Sequence, residues 1–206
     1  MLIPLDDLVV KYDIKFKGIL HVGAHECEEL QDYLRYVNIS KILWVEAIPE
    51  KVALCRQNHP DIRIETAIVS NVVENVRFHV SSNGQSSSML DLGLHSQFYP
   101  HITYTHEFES ETRRLEDVLR PYKDIEFNFL NFDIQGAELK ALQGMEEYLS
   151  RVDYVYTEVN SDYVYENCAL VEEMDEYLMK FGLYRVETGW TDCQWGDAFY
   201  IRQDVF

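Results

Sequence analysis

His21-Val22-Gly23-Ala24-His25 closes the first hydrophobic run of the chain, which begins at Gly18, and an acidic amphipathic stretch follows from Glu26. That order predicts a strand over Gly18–Val22, a glycine turn and a helix over Glu26–Val37. Glycine suits a turn of positive φ where another group must lie against the backbone. A second run, Ile42–Glu46, ends on a carboxylate. In a βαβ nucleotide-binding unit an acid at this position holds the two hydroxyls of a ribose, so a ligand carrying adenosine is expected.

The turn is not built for a dinucleotide. G-x-G-x-x-G needs further glycines, whereas this chain offers Gly23-Ala24-His25-Glu26-Cys27. Glu26, Glu28 and Glu29 suit a helix N-terminus but would repel a diphosphate. A cationic adenosine cofactor without phosphate fits better, and S-adenosylmethionine, with its sulfonium and amino groups, is the expected one. A plain βαβ turn with a surface acid at position 46 would leave the same local pattern.

At 206 residues the chain is expected to form one domain, 1–206, with 1–17 as a lead-in segment. Its apolar runs are shorter than the ~18 residues of a membrane span, and Met1-Leu-Ile-Pro-Leu-Asp-Asp lacks the features of a signal peptide. A soluble, cytoplasmic protein with no membrane insertion is expected. Cys27, Cys55, Cys168 and Cys193 form no C-x-x-C pair, which leaves neither a disulfide framework nor a zinc knuckle. The net charge of −18, without clustered Lys and Arg, disfavours nucleic acid as a partner.

Alternating elements continue along the chain, the signature of an α/β sheet covered on both faces. After a lead-in helix (Leu5–Tyr12) and the strands already described come a helix from Pro49 to Asn58 and strands Ile62–Val69 and Val76–Val80. Ser81–Thr105, rich in serine and holding His95 and His101, reads as a long loop that borders the site and is mobile without ligand. A short helix (Thr112–Leu119), strand Phe127–Asp133, helix Gly136–Leu149, strand Tyr154–Val159 and helix Leu170–Phe181 follow. Leu183–Thr188 and Ala198–Arg202 form a terminal strand pair. Gly23, Glu46, Asp133 and Glu158 all fall at or just past strand ends, where open parallel sheets bind ligands.

These residues resemble the FkbM-type S-adenosylmethionine-dependent methyltransferases from about Gly18 to Arg202. The resemblance is carried by His21-Val-Gly-Ala-His-Glu, Trp44-Val-Glu-Ala-Ile-Pro, Thr66-Ala-Ile-Val-Ser, Ser86-Ser-Ser-Met-Leu, Asn131-Phe-Asp-Ile-Gln-Gly-Ala-Glu-Leu, Gly144-Met, Thr157-Glu-Val-Asn and Trp195-Gly-Asp-Ala, in that order. It implies a Rossmann-like class I methyltransferase fold, a seven-stranded, mostly parallel sheet with an antiparallel terminal strand. It also implies O-methylation of a sugar hydroxyl in a glycan or glycoconjugate. In this resemblance Gly23, Ala24 and His25 lie under the methionine part of the cofactor and Glu46 takes the ribose hydroxyls. Ala47 and Ile48 line one side of the adenine, Ala67 and Ile68 the other, and Asp133 the rim nearest the methyl group. His21 stands where methyltransferases commonly carry an acid, and Cys27 replaces the last glycine of the turn. Glu29 or Asp133 is then left to meet the cofactor's amino group.

Transfer to a hydroxyl needs alignment of donor and acceptor and gains from a general base. Asp133, with Glu158 as partner, is the expected catalytic pair; His95, His101 and His106 are the other candidate bases. The histidine spacings do not make a zinc site. Asp133, Glu158 and Asn160 offer oxygen donors for magnesium at two neighbouring strand ends, but Asp133 and Glu158 serve equally well without a metal, so magnesium is not favoured. Tyr163, Tyr165 and Trp195 are candidates to stack on a carbohydrate acceptor. Two other classes compete: a small nicotinamide-dependent oxidoreductase, and a non-catalytic cofactor-binding module.

Overall fold

Uninterrupted apolar runs become strands covered on both faces. In chain order the elements are α1 (Leu5–Tyr12), β1 (Ile19–Val22), α2 (Leu30–Tyr33), β2 (Ile42–Glu46), α3 (Pro49–Asn58), β3 (Arg63–Thr66), β4 (Asn75–Ser81), α4 (His95–Phe98), β5 (Tyr104–Glu111), α5 (Leu115–Leu119), β6 (Phe129–Phe132), α6 (Glu138–Gln143), α7 (Glu146–Leu149), β7 (Tyr154–Asn160), α8 (Val171–Met179), β8 (Leu183–Trp190) and β9 (Trp195–Arg202). The structure is a computed structural model and describes residues 1–205. Every residue of β1, β2, β6 and β7 is buried. Central strands of a parallel sheet require this, because helices cover both of their faces.

A seven-stranded sheet has the order β3-β2-β1-β6-β7-β9-β8, and β4 and β5 form a separate two-stranded ribbon. Neighbours from β3 to β7 run parallel, and β9 is antiparallel to both β7 and β8. The α/β fold with an antiparallel strand near the end of the chain is therefore as expected. Strand order reverses between β1 and β6, which makes their carboxyl ends the place for a ligand.

Side-chain alternation divides the core in two. Leu20, Val22, Leu43, Val45, Leu130, Phe132 and Val155 pack on one face of the sheet. Ile19, Ile42, Trp44, Phe129, Tyr154 and Tyr156 pack on the other. A third cluster, Ile48, Ile68, Phe78 and Val80, joins the β4–β5 ribbon to the ends of β2 and β3. No helix among the described residues is long and apolar enough to cross a membrane.

Several boundaries differ from expectation. The helix expected over Glu26–Val37 shrinks to α2, because His25 and Cys27 take φ of 42° and 61° and the chain turns tightly before it winds. The helix expected over Gly136–Leu149 becomes α6 and α7, broken at Gly144, where a Cβ would lie 2.3 Å from the Ser70 carbonyl oxygen. Ser81–Thr105 is not one continuous loop: it contains α4, and β5 begins within it at Tyr104. Strand β5 was not anticipated, since its Thr-His-Glu-Phe-Glu-Ser-Glu sequence is polar on both faces and shows no apolar alternation. His106 is accordingly a strand residue opposite Val80, not a loop residue.

Candidate active site

The strand register builds the site in layers. His21 pairs with both Trp44 and Asn131, and Asn131 with Tyr156, across four adjacent strands. These four side chains lie on one face of the sheet and close it from below. His21 stacks on Trp44 at 4.6 Å, its Nδ1 is 3.0 Å from the Tyr33 hydroxyl, and Asn131 Nδ2 donates to that hydroxyl at 2.8 Å. Burial drives the His21 pKa down to about 3, so the ring is neutral. Two residues further along each strand come Gly23, Glu46, Asp133 and Glu158, all facing one cavity of about 420 Å³. That volume is of small-molecule size.

At the β1–β2 end, backbone geometry dominates. Gly23 has φ 93°, and a Cβ there would sit 1.8 Å from the Asp133 carbonyl oxygen, so no other residue fits between β1 and β6. The Gly23 and Ala24 N–H groups both donate to the Val45 carbonyl, at 2.9 and 3.1 Å. Glu46 accepts from the His25 N–H and the Ile48 N–H, each at 2.8 Å, one on each carboxylate oxygen. Glu46 therefore ties the turn after β1 to the turn after β2, while each oxygen keeps a lone pair for a hydroxyl. Burial raises its pKa and the two N–H donors oppose that rise. Ala47, Ile48, Ala67, Ile68 and Phe78 form an apolar slot beside it. A glycine cradle that any Cβ would fill, a carboxylate and an apolar slot suit an adenosine-bearing sulfonium.

Side chains dominate the β6–β7 end. Gln135 Nε2 donates to Asp133 Oδ1 at 2.5 Å and to Glu158 Oε2 at 2.9 Å, and the Tyr165 hydroxyl donates to Gln135 Oε1 at 2.6 Å. One donor nitrogen thus draws two carboxyl groups together, and like charges so placed raise each other's proton affinity. Asp133 lines the cavity and is itself exposed. Desolvation, followed by the Asp197 charge, lifts its pKa to about 6. Glu158, 5% exposed, is raised well above the usual carboxylate range by burial and then by the charges of Asp133, Glu138 and Asp197. Beneath them Glu138 accepts from the Ile134 N–H at 2.9 Å and the Gly136 N–H at 3.1 Å, which holds the chain in place after β6. Burial lifts Glu138 to about 7.

Of the residues expected at the site, His21, Gly23, His25, Glu29, Glu46, Ala47, Ile48, Ala67, Ile68, Asp133 and Glu158 line the cavity. Ala24 does not: it is 1% exposed and packs in the core with Cys27 and Leu30. Glu29 Oε2 lies 3.9 Å from His21 Nδ1, beside the glycine turn. His95, Tyr165 and Trp195 reach the cavity, whereas His101, His106 and Tyr163 do not line it. Among the described residues no group of three or more His, Cys, Asp and Glu is placed to hold a metal ion. Gln135, Glu138 and Tyr99, whose hydroxyl accepts from Trp195 Nε1 at 3.0 Å, were not anticipated. Gln135 and Glu138 lie within the stretch after Asp133, where the glycine at 136 was the available signal.

Comparison with known proteins identifies the family and the fold. The family model described as "Methyltransferase FkbM domain" matches residues 21–186. The chain is similar to the 2-O-methyltransferase NoeI of Sinorhizobium fredii (strain NBRC 101917 / NGR234), at 23% identity over 175 residues covering 80% of this chain and 72% of that protein. Among solved structures it resembles the ribosomal protein L11 methylase of Lactobacillus delbrueckii subsp. bulgaricus, with TM-score 0.53, 10% identity and coverage of 94% of this chain and 74% of that one. It also resembles magnesium protoporphyrin IX methyltransferase (ChlM) of Synechocystis PCC 6803 with bound SAM, with TM-score 0.51, 9% identity and coverage of 96% and 76%. At such identities these two structures share the fold with this chain.

Proposed function

Because this chain belongs to the FkbM family of methyltransferases, with S-adenosylmethionine as its methyl donor, we propose that it is an O-methyltransferase acting on a sugar hydroxyl of a glycan or glycoconjugate. The family assignment sets aside the nicotinamide-dependent oxidoreductase and the non-catalytic module. The observation that carries the acceptor reading is the lining of the cavity. Glu28, Glu29, Glu46, Asp133 and Glu158 face it, and Lys and Arg are absent from the described residues that line it. Such a site repels anions and favours an uncharged acceptor rich in hydroxyl donors. Tyr99, Tyr165 and Trp195 supply flat faces on which a sugar ring can lie.

In this reading Gly23 and His25 underlie the methionine part of the donor, Glu29 faces its amino group, and Glu46 holds its ribose. Ala47, Ile48, Ala67 and Ile68 enclose the adenine. The bound donor supplies a methyl group on a sulfonium, already a good leaving group, so the protein's task is alignment and proton removal. Asp133 accepts the hydroxyl proton as the acceptor oxygen gains the methyl group. Desolvation and the Asp197 charge keep the proton affinity of Asp133 near neutrality, and Glu158 shares the Gln135 amide with it. Neither step draws on magnesium. Residues 1–206 act as one cytoplasmic unit in this proposal, with 81–105 bordering the acceptor.

The test is incubation with S-adenosylmethionine and a panel of deoxyhexoses, neutral hexoses and uronic acids, with products read by mass spectrometry. Methylated neutral sugar together with S-adenosylhomocysteine is expected, and uronic acids should be poor acceptors. Turnover on a catechol or amine panel with none on any sugar would overturn the acceptor assignment.

A further inference from the structure

We propose, resting on the acid-pair reading above, that Gln135 is a positioning residue for methyl transfer: its amide spans Asp133 and Glu158 and sets the gap that the acceptor hydroxyl must enter. Both carboxylates hydrogen-bond to the one nitrogen, Nε2, at 2.5 and 2.9 Å, so both of its hydrogens are committed. The orientation of the amide is fixed by its other end. The Tyr165 hydroxyl donates to Oε1 at 2.6 Å, and a flipped amide would turn its oxygen toward two acids and its NH2 toward a donor.

The backbone of Gln135 is held just as firmly. Ser88 Oγ donates to its carbonyl oxygen at 2.8 Å, which links this turn to the segment after β4. Gln135 itself has φ 57°, and the next residue, Gly136, has φ 95° with room for no Cβ, since one would lie 2.9 Å from Cys168 Cβ. A non-glycine residue in the left-handed region is a strained conformation, kept only where its surroundings enforce it. Here that conformation delivers the amide between the two acids.

The charges around the pair explain why a neutral donor is needed. Asp133 faces Asp197, Glu29 and the chain's α-amino group. Glu158 faces Asp133, Glu138 and Asp197, with Tyr165 and Tyr99 on the cavity side. Among these groups acids outnumber the α-amino cation, and the shared amide favours the charged form of both carboxylates without consuming a charge that the donor or acceptor needs. A lysine in its place would neutralise the base.

The experiment is a pH titration of the side-chain carboxyl carbons by 13C NMR on the full chain, in the wild type, Gln135→Met and Tyr165→Phe. In Gln135→Met the Asp133 and Glu158 midpoints should both rise, Asp133 by about one pH unit, because a donor to the charged form is lost while volume is kept. Tyr165→Phe, which leaves the left-handed backbone untouched, should shift them the same way by less. Affinity for S-adenosylhomocysteine should stay within a few-fold in both. Unmoved midpoints in a folded Gln135→Met overturn the proposal; if that variant does not fold, unmoved midpoints in Tyr165→Phe do so. The titration uses no acceptor, so its outcome is independent of whether the acceptor proves to be a sugar.

Discussion

The two ends of the cavity satisfy their carboxylates in different ways. Glu46 is held by backbone N–H groups of His25 and Ile48, donors that the fold itself fixes. Asp133 and Glu158 are held by a side chain, Gln135, which another side chain, Tyr165, orients. A carboxylate anchored by backbone is a rigid receptor, whose position changes little when neighbouring side chains move. One anchored by side chains has a proton affinity that neighbours set, which suits a group that must take a proton. In the proposed reading the donor end is therefore the rigid half and the acceptor end the tuned half.

The contrast is broken most directly at Asp133. Asp133→Asn preserves shape and the carbonyl that faces Gly23 but removes the proton acceptor. Turnover should fall by about 10²- to 10⁴-fold, with donor affinity altered far less. Glu158→Gln should lose less, since Glu158 shares the Gln135 amide with Asp133 and does not itself accept the proton. Steady-state kinetics on the methylated sugar, together with calorimetry of S-adenosylhomocysteine, separates the two effects. Full activity in Asp133→Asn would pass the role to His95, the one histidine of its segment that lines the cavity.

At the rigid end the effect should be on binding. Glu46→Ala removes a charged acceptor for the ribose and also frees two backbone donors, so donor affinity should drop by about 1.5–3 kcal/mol. Thermal denaturation without ligand should show a separate destabilisation of about 1 kcal/mol or more from the untied turns. Unchanged affinity in calorimetry would remove Glu46 from the site and erase the distinction between the two halves.

How much of this was legible follows the same division. The donor end could be read because each residue there owes its role to strand position: Gly23 and Glu46 sit one step past buried apolar runs, and the run itself announces the strand. Asp133 and Glu158 were found by the same rule. Gln135 and Glu138 were not, because their partners lie in Tyr165 and in the local turn, and no periodicity encodes a contact between distant side chains. The ribbon strand β5 was missed for a related reason: its polar faces carry no alternation, and its pairing with β4 is held by backbone bonds. The shortened α2 reflects a tertiary override. The acidic stretch after His25 has helical composition, yet Glu46 captures the His25 N–H and the chain must turn first.

The smallest of the expected effects lies beneath the tuned end and tests whether its acids are costly to the fold. Glu138 is 2% exposed and raised to about 7 by burial, against 4.5 for an ordinary glutamate. A carboxyl with a raised folded-state pKa binds more protons in the folded chain than in the unfolded one between those two values. Stability from this group is thus fully present below pH ~4.5 and is lost as pH rises through about 7. Glu138→Gln keeps an oxygen to accept from the Ile134 and Gly136 N–H groups and abolishes the titration. Urea denaturation at pH 8 should show the variant more stable than wild type by about 1–2 kcal/mol, a figure kept below the full linkage value because the neighbouring acids titrate together. The difference should vanish near pH 4.5, where the wild-type carboxyl is protonated. A variant less stable than wild type at pH 8 yet equal to it near pH 4.5 would show that the charge of Glu138, and not its hydrogen-bonding oxygen, holds the turn after β6.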